Sequence, residues 1–181
     1  MGNDRHGFAF LPGEFRQIGY VVRDLDAAIA GWLALGVGPF FVIRGIEQTA
    51  DYRGNPCTVT LSVAFANSGD LQIELIHQDD EVPSIYTEFL DAGRAGMHQL
   101  AWWASDFDAT MATVGAEGWP VVWSGGGDGG ARYAYVEPPD SGPATIVEIM
   151  ELTDLTRGMA TLVRDAAANW DGSDPVRSLL G

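Results

Sequence analysis

The sequence has no lysine: all 10 of its basic residues are arginines, set against 25 acidic residues for a formal net charge of −15. A lysine Schiff base and a P-loop lysine are thereby excluded, whereas an arginine clamp for a carboxylate stays open. The charge argues against nucleic acid and against an anionic membrane surface, since both would repel the chain at long range. With a single cysteine, Cys57, there is no internal disulfide and no Cys pair for a zinc knuckle or an iron–sulfur site, as suits a reducing cytoplasm. No apolar run is long enough for a membrane span, and residues 1–14, charged and broken by Gly and Pro, read as a leader without a signal-peptide core.

What is present is 46% hydrophobic residues in a chain of 181, enough for one compact domain or two small fused modules. A pattern occurs twice. Residues 15–22 are β-branched and aromatic enough for a strand, and Asp24 then caps a helix whose stripe is Leu25, Ile29, Trp32 and Leu33, stopped by Gly36-Val37-Gly38-Pro39. Three strands follow, over 40–48, 58–66 and 71–77, separated by turns at 51–56 and 67–70. The second copy opens with a strand at 97–104, a cap at Asp106 and a helix bearing Phe107, Met111 and Val114, then strands at 119–124, 132–136 and 144–151. The expected fold class is thus α+β: a leader (1–14), a first strand–helix–three-strand module (15–78), a linker or lid with a short helix (79–95), a second module (96–152), and a C-terminal helix and tail (153–181). The last helix is expected to show a stripe of Leu155, Met159, Leu162, Val163 and Ala166. The glycine-rich run 125–130 joins two strands, precedes no helix and lacks the Lys and Ser/Thr of a phosphate cradle, so it reads as a hairpin or active-site loop.

Polar residues inside apolar strands carry the functional signal, because an unpaired buried charge is too costly to be incidental. Gln17 and His98 lie on the first strand of each module, Glu74 and Glu148 on the last. If the two sheets curl toward each other, these four converge in one cup. An imidazole nitrogen, an amide oxygen and two carboxylates suit a divalent metal ion (Zn, Ni, Co, Mn, Fe or Mg), with positions left for water or two substrate oxygens. Each residue taken singly has a plainer reading as a hydrogen-bonded amide, a satisfied core histidine or a solvated carboxylate; the repeat-matched set of four is what argues for a site.

The two modules, their order and these four positions resemble the vicinal oxygen chelate superfamily, which includes glyoxalase I and methylmalonyl-CoA epimerase, over residues 15–151. The resemblance implies paired βαβββ modules (the glyoxalase/bleomycin-resistance fold) forming a curved sheet cup around a metal. Gln17, Glu74, His98 and Glu148 follow the Gln, Glu, His, Glu order of glyoxalase I, whereas the epimerase pattern usually has His first and Gln second. It further implies a lyase or isomerase/epimerase that abstracts a proton next to a carbonyl through an enediolate-like intermediate. Glu148 would then be base and ligand, Glu74 would return the proton, and the protein would be a homodimer.

For substrate contacts the sequence offers Phe41, Trp102, Trp123 and Arg132, which suggest a small apolar or ring-bearing substrate with vicinal oxygens. Trp102 is placed on the strand face of His98. The acidity and the absence of lysine speak against coenzyme A or glutathione as the substrate handle. Two other functions fit the same scaffold: a metal-free protein that sequesters an apolar ligand, and a ring-cleaving dioxygenase, which would need a second histidine where Glu74 stands.

Overall fold

The computed structural model describes residues 11–127, 130–138 and 144–179. Most of the expected leader and the centre of the glycine-rich run lie outside the described residues. The first half of the chain runs β1 (Phe15–Val21), α1 (Leu25–Ala34), β2 (Phe40–Tyr52), β3 (Asn55–Ser68) and β4 (Leu71–Gln78). After α2 (Ile85–Asp91) the second half repeats the order as β5 (Gly96–Ala104), α3 (Phe107–Ala116), β6 (Val121–Gly127), β7 (Gly130–Val136) and β8 (Ile146–Glu151). Helix α4 (Asp154–Ala168) and a short strand β9 (Val176–Ser178) complete the chain. This is the α+β architecture of two βαβββ units, and the two halves pair within one chain.

The local causes are the same in both halves. The Asp24 carboxylate accepts from the Ala27 amide at 2.9 Å and the Asp106 carboxylate from the Ala109 amide at 2.9 Å, so each crossover helix starts on an aspartate cap. Leu25 and Ile29 of α1 then bury against Ile73 and Leu75 of β4, while Val114 of α3 buries against Val147 and Ile149 of β8. Each helix covers the outer face of its own sheet half, which leaves the other face of every strand pointing inward.

The strands form one curved sheet in the order β3-β4-β1-β5-β8-β7-β6-β2-β9, and β2 also pairs with β3, so eight strands close into a ring. The seam is short: β2 meets β6 at only three positions, Ala50 to Tyr52, while its beginning, Phe40 to Val42, pairs in parallel with β9. Beside the seam the interior is filled by Val59, Leu61, Val63, Ile76, Val122 and Trp123 together with Ile85, Tyr86 and Phe89 of α2. Helix α2 is held by a Ser84/Thr87 capping box and by a polar staple from the β2–β3 hairpin. Arg53 bonds Glu88 at 2.8 Å and Glu137 at 2.6 Å, and the Tyr52 hydroxyl donates to Glu88 at 2.5 Å.

Three expectations change. The segment 51–56 is no six-residue turn; the strands run on and only Arg53 and Gly54, both at positive φ, make the reversal. The tail contributes a strand, β9, whose three residues carry no alternation to announce it. The stripe expected on α4 divides: Val163 is buried, but Leu155 and Leu162 are 60% and 51% exposed, because the helix turns a narrower face of Thr156, Met159, Ala160 and Val163 to the sheet.

Arg53→Ala removes both arms of the staple. It should lower unfolding stability by about 1 kcal/mol, the scale of a half-exposed bidentate network. Urea midpoints would check this, and an unchanged midpoint would show that the Arg53 bridges contribute nothing to holding α2.

Candidate active site

Inward-facing positions of four strands meet near the centre of the sheet. On β1 these are Gln17, Gly19 and Val21, on β4 Gln72, Glu74 and Ile76, on β5 Gln99, Ala101 and Trp103, and on β8 Ile146, Glu148 and Met150. Parallel pairing puts Gly19 beside Glu74 and Ala101 beside Glu148, so the two glutamates are equivalent across the halves. Gln17 stands two residues before Gly19, and Gln99 two residues before Ala101. The partner of Gln17 in the second half is therefore Gln99, and His98 is one residue out of step.

A bulge explains the offset. Along the β1–β5 ladder Gly19 pairs with Gln99 but Tyr20 pairs with Met97, so His98 is the extra residue. His98 is buried behind Gln99, with the Phe89 ring edge-on at 4.8 Å and the rings of Tyr86 and Tyr135 each at 6.1 Å. This apolar surround removes the imidazolium's hydration and holds its pKa down to about 4, so the ring is neutral. Its Nδ1 lies 2.5 Å from Gln99 Oε1; a neutral ring protonated at Nδ1 donates there and fixes which end of the Gln99 amide faces forward.

That forward end is the Nε2 amide group. It donates to the Tyr135 hydroxyl at 3.0 Å, to Glu74 Oε2 at 3.3 Å and to Glu148 Oε2 at 3.5 Å. Two hydrogens for three acceptors leave the carboxylates underserved. Among the described residues neither glutamate has another hydrogen-bond partner and neither has an ion-pair partner. Desolvation is the main cause that drives Glu74 up to about 7; Gln99 pulls it back. Glu148 goes well above its ordinary value, first through desolvation and then through the Glu74 charge. At neutral pH the pair holds at least one proton between its two members. Gly19 makes room for this arrangement: a Cβ there would lie 2.3 Å from Gln99 Cδ and 2.3 Å from its Nε2.

The glutamates open onto a cavity of about 100 Å³. Gln17, Gln72 and Trp103 line it from the sheet, and α4 roofs it with Thr156, Met159, Ala160 and Val163. Gln17 Nε2 donates to Gln72 Oε1 at 2.9 Å, while Gln17 Oε1 is buried without a partner. Of the four residues expected to meet, then, Gln17, Glu74 and Glu148 share one cavity and His98 stands behind it, one hydrogen bond removed through Gln99. The lining oxygens include one orphaned carbonyl and two carboxylates, a hard donor set that fits a divalent cation such as Mg or Mn. Among the described residues there is no group of three or more His, Cys, Asp and Glu side chains arranged to hold a metal, so such an ion would depend on the amide oxygen.

None of the four expected substrate contacts lines this cavity. Alternation from the inward Gln99 and Ala101 turns Trp102 outward, where it packs edge-on against Phe15 at 5.8 Å and joins the α3 cluster; Trp103 takes the inward place. Trp123 is wholly buried in the core under α2. Phe41 is buried beneath the Arg177 guanidinium, 5.7 Å from its ring centre. Arg132 is committed on the surface to Glu151 and Asp108, both at 2.7 Å. The sequence reading missed Gln99, Tyr135, Tyr86 and Trp103. One signal for Gln99 was available, for it stands seven residues before the Asp106 cap just as Gln17 stands seven before Asp24.

The comparisons agree with this fold. The family model of the Glyoxalase/Bleomycin resistance protein/Dioxygenase superfamily matches residues 16–135, and the chain belongs to that superfamily. Among solved structures the chain is similar to methylmalonyl-CoA epimerase from Mycobacterium tuberculosis, at 25% identity and a TM-score of 0.57 over 85% of this chain and 97% of that one. A hypothetical protein from Bacillus halodurans has 19% identity and a TM-score of 0.57 over 78% and 95% of the two chains. A Streptomyces coelicolor methylmalonyl-CoA epimerase variant in complex with 2-nitronate-propionyl-CoA has 20% identity and a TM-score of 0.52 over 76% and 95%. No curated protein matches the chain in sequence.

The protonation of the pair sets a pH dependence. Glu74 and Glu148 bind protons more tightly folded than unfolded, so their stabilising contribution is complete below about pH 4.5 and is lost as pH rises, for Glu74 through about 7. His98 runs the other way: its contribution is present above 6.5 and lost as pH falls toward 4. Above pH 6.5 only the carboxylates act. Chelator-treated protein should therefore lose stability to urea as pH rises from about 6.5 through 7, by at most about 1.4 kcal/mol per pH unit for each proton. Glu148→Gln should flatten that slope, and a wild-type curve rising over this range would contradict a shared proton.

Proposed function

We propose that this protein is an isomerase or epimerase of its superfamily that moves a proton at a carbon next to a carbonyl, with Glu148 and Glu74 as the proton-transfer pair. The observation that carries this reading is the burial of two equivalent carboxylates within 3.5 Å of one amide nitrogen, facing a small cavity. A desolvated carboxylate is a stronger base than a hydrated one, and its protonated neighbour is an acid of matched strength. In the form of the pair in which the shared proton sits on Glu74, Glu148 takes the proton from the substrate carbon and Glu74, from the other half of the sheet, returns one. If the two act on opposite faces the product is the epimer; if Glu148 alone acts, configuration is kept.

Gln99 is a positioning residue. Its Nε2 group holds the two carboxylates together, and His98 holds Gln99. Gln17, Glu74 and Glu148 are the residues that would bind a divalent ion, with His98 outside that set. Bound there, the ion would supply positive charge against a substrate oxygen as it gains electron density. The superfamily and the epimerase neighbours, several of whose structures hold methylmalonyl-CoA or 2-nitronate-propionyl-CoA, support a small-molecule carbonyl substrate. A ring-cleaving dioxygenase is disfavoured because the cavity lining contains no imidazole among the described residues. Metal-free sequestration of a ligand remains the outcome to be tested against.

The test is deuterium incorporation from heavy water at the α-carbon of a panel of 2-substituted acyl thioesters and 2-hydroxy ketones, followed by NMR with and without Mg or Mn. Wild type should exchange at least one of them, and Glu148→Gln should lower the rate by roughly 10²–10⁴-fold, the usual worth of a positioned general base. Full exchange in that variant would remove Glu148 from its role. Binding without any exchange would indicate the sequestering protein. Gly19→Ala, by displacing Gln99, should also slow exchange at least about tenfold, and adding Gln99→Ala should cost little more because both changes break one arrangement. Additive losses would refute the coupling.

A further inference from the structure

Beside the carboxylate cavity lies a larger cleft of about 290 Å³, and the two share Trp103 and Ala160. Arg16 at the start of β1, Asn67 at the end of β3, Trp103, and Arg157 and Arg164 of α4 line it. Of the arginines in the described residues, seven have side-chain partners: Arg23 and Arg177 on carbonyls, Arg94 on a hydroxyl, and Arg44, Arg53, Arg132 and Arg164 on carboxylates. Arg16 and Arg157 have no described side-chain hydrogen bond or ion pair, and both face this cleft. In a chain with 25 acidic residues, two uncommitted guanidiniums in one place are an exception.

A third donor belongs to a residue that lines the cleft. The indole Nε1 of Trp103 is buried and has no acceptor, a state that costs free energy unless a ligand supplies one. Asn67, 6% exposed, adds a buried Oδ1 without a donor, which would suit a ligand hydroxyl. Glu14 and Asp70 also line the cleft, and Arg164 there is already paired with Asp165, so the free cations are Arg16 and Arg157. Two free guanidiniums beside two carboxylates suit one anionic group and not a polyanion.

We propose that this cleft binds a single oxyanion group of the substrate, a carboxylate or a phosphate monoester, through Arg16, Arg157 and the Trp103 indole N–H. The Trp103 ring that contacts this group is also a wall of the carboxylate cavity, so an anion held here anchors a substrate whose reacting carbon lies toward Glu74 and Glu148. Assignment of the anion to a substrate rests on the proton-transfer reading; binding of the anion does not.

The test is titration of the ¹⁵N-labelled protein with inorganic phosphate and, separately, with succinate, following the Trp103 indole resonance assigned by Trp103→Phe. At least one anion should move that resonance saturably, and the anion that does so identifies the source as phosphate or carboxylate; movement by both supports their shared chemistry. Arg16→Ala and Arg157→Ala should each weaken binding about tenfold, while Arg177→Ala, on the far side of the sheet order, should not. Both cleft arginines are exposed, so these variants keep the fold, which the unchanged remainder of the spectrum checks. No saturable movement, or binding that ignores both substitutions, overturns the proposal. Absence of anion binding in a wild type that still exchanges deuterium would sink this inference alone, and anion binding without exchange would sink the proton-transfer reading alone.

Discussion

Two carboxylates brought out of water with only one amide between them set the terms for the rest of the site. Leaving both ionised in a water-poor cup would cost several kcal/mol, so the pair must share a proton or enclose a cation. Either solution needs an invariant spacing between the halves of the sheet. That spacing is supplied by the β1–β5 ladder, which joins the two βαβββ units along their first strands. The helices on the outer faces and the apolar fill beside α2 make that joint stiff, so two groups from the two halves of the chain are held to one nitrogen.

The order of support runs inward. The ring of Phe89 and the hydroxyl-bearing rings of Tyr86 and Tyr135 keep His98 neutral, His98 orients Gln99, and Gln99 meets the glutamates. Each member is fixed by the one behind it, which is how a constellation of flexible side chains gains definition without extra covalent links. Gly19 belongs to the same chain of cause, for the site requires a missing side chain as much as it requires those that are present. The halves are alike in backbone but not in what stands behind the amides. Gln17 leans on Gln72 and leaves its oxygen unpaired, whereas Gln99 is engaged at both ends.

Most of the architecture was legible in the sequence because its causes are local. Aspartate caps, helical stripes and a Gly-Pro stop lie within a few residues of what they determine, and the duplication doubled their force. Glu74 and Glu148 stood out as charges in apolar strands, a signal that survives any error of register. His98 could not be placed in the same way. A bulge inserts one residue through a pairing between strands some 80 positions apart in sequence, and a one-residue slip moves a side chain to another station. The same slip exchanged Trp102 for Trp103. β9 was hidden for a related reason: its three residues become a strand only because β2 offers an unpaired edge beside the short seam.

The cover over the cup is secured at both of its ends. Thr153 and Thr156 cap α4 directly after β8, and β9 returns the chain to β2, with Phe40 donating its amide to Pro175. A segment anchored twice cannot drift away; it competes for the cup at a fixed effective concentration set by its two short connections, whatever the concentration of protein. A molecule larger than the cavity beneath must continue into the neighbouring cleft or displace the helix, and in the second case its apparent affinity is its intrinsic affinity reduced by the fraction of protein whose helix is raised. Discrimination among substrates can thus reside partly in the terminal helix, in residues that never meet the reacting carbon.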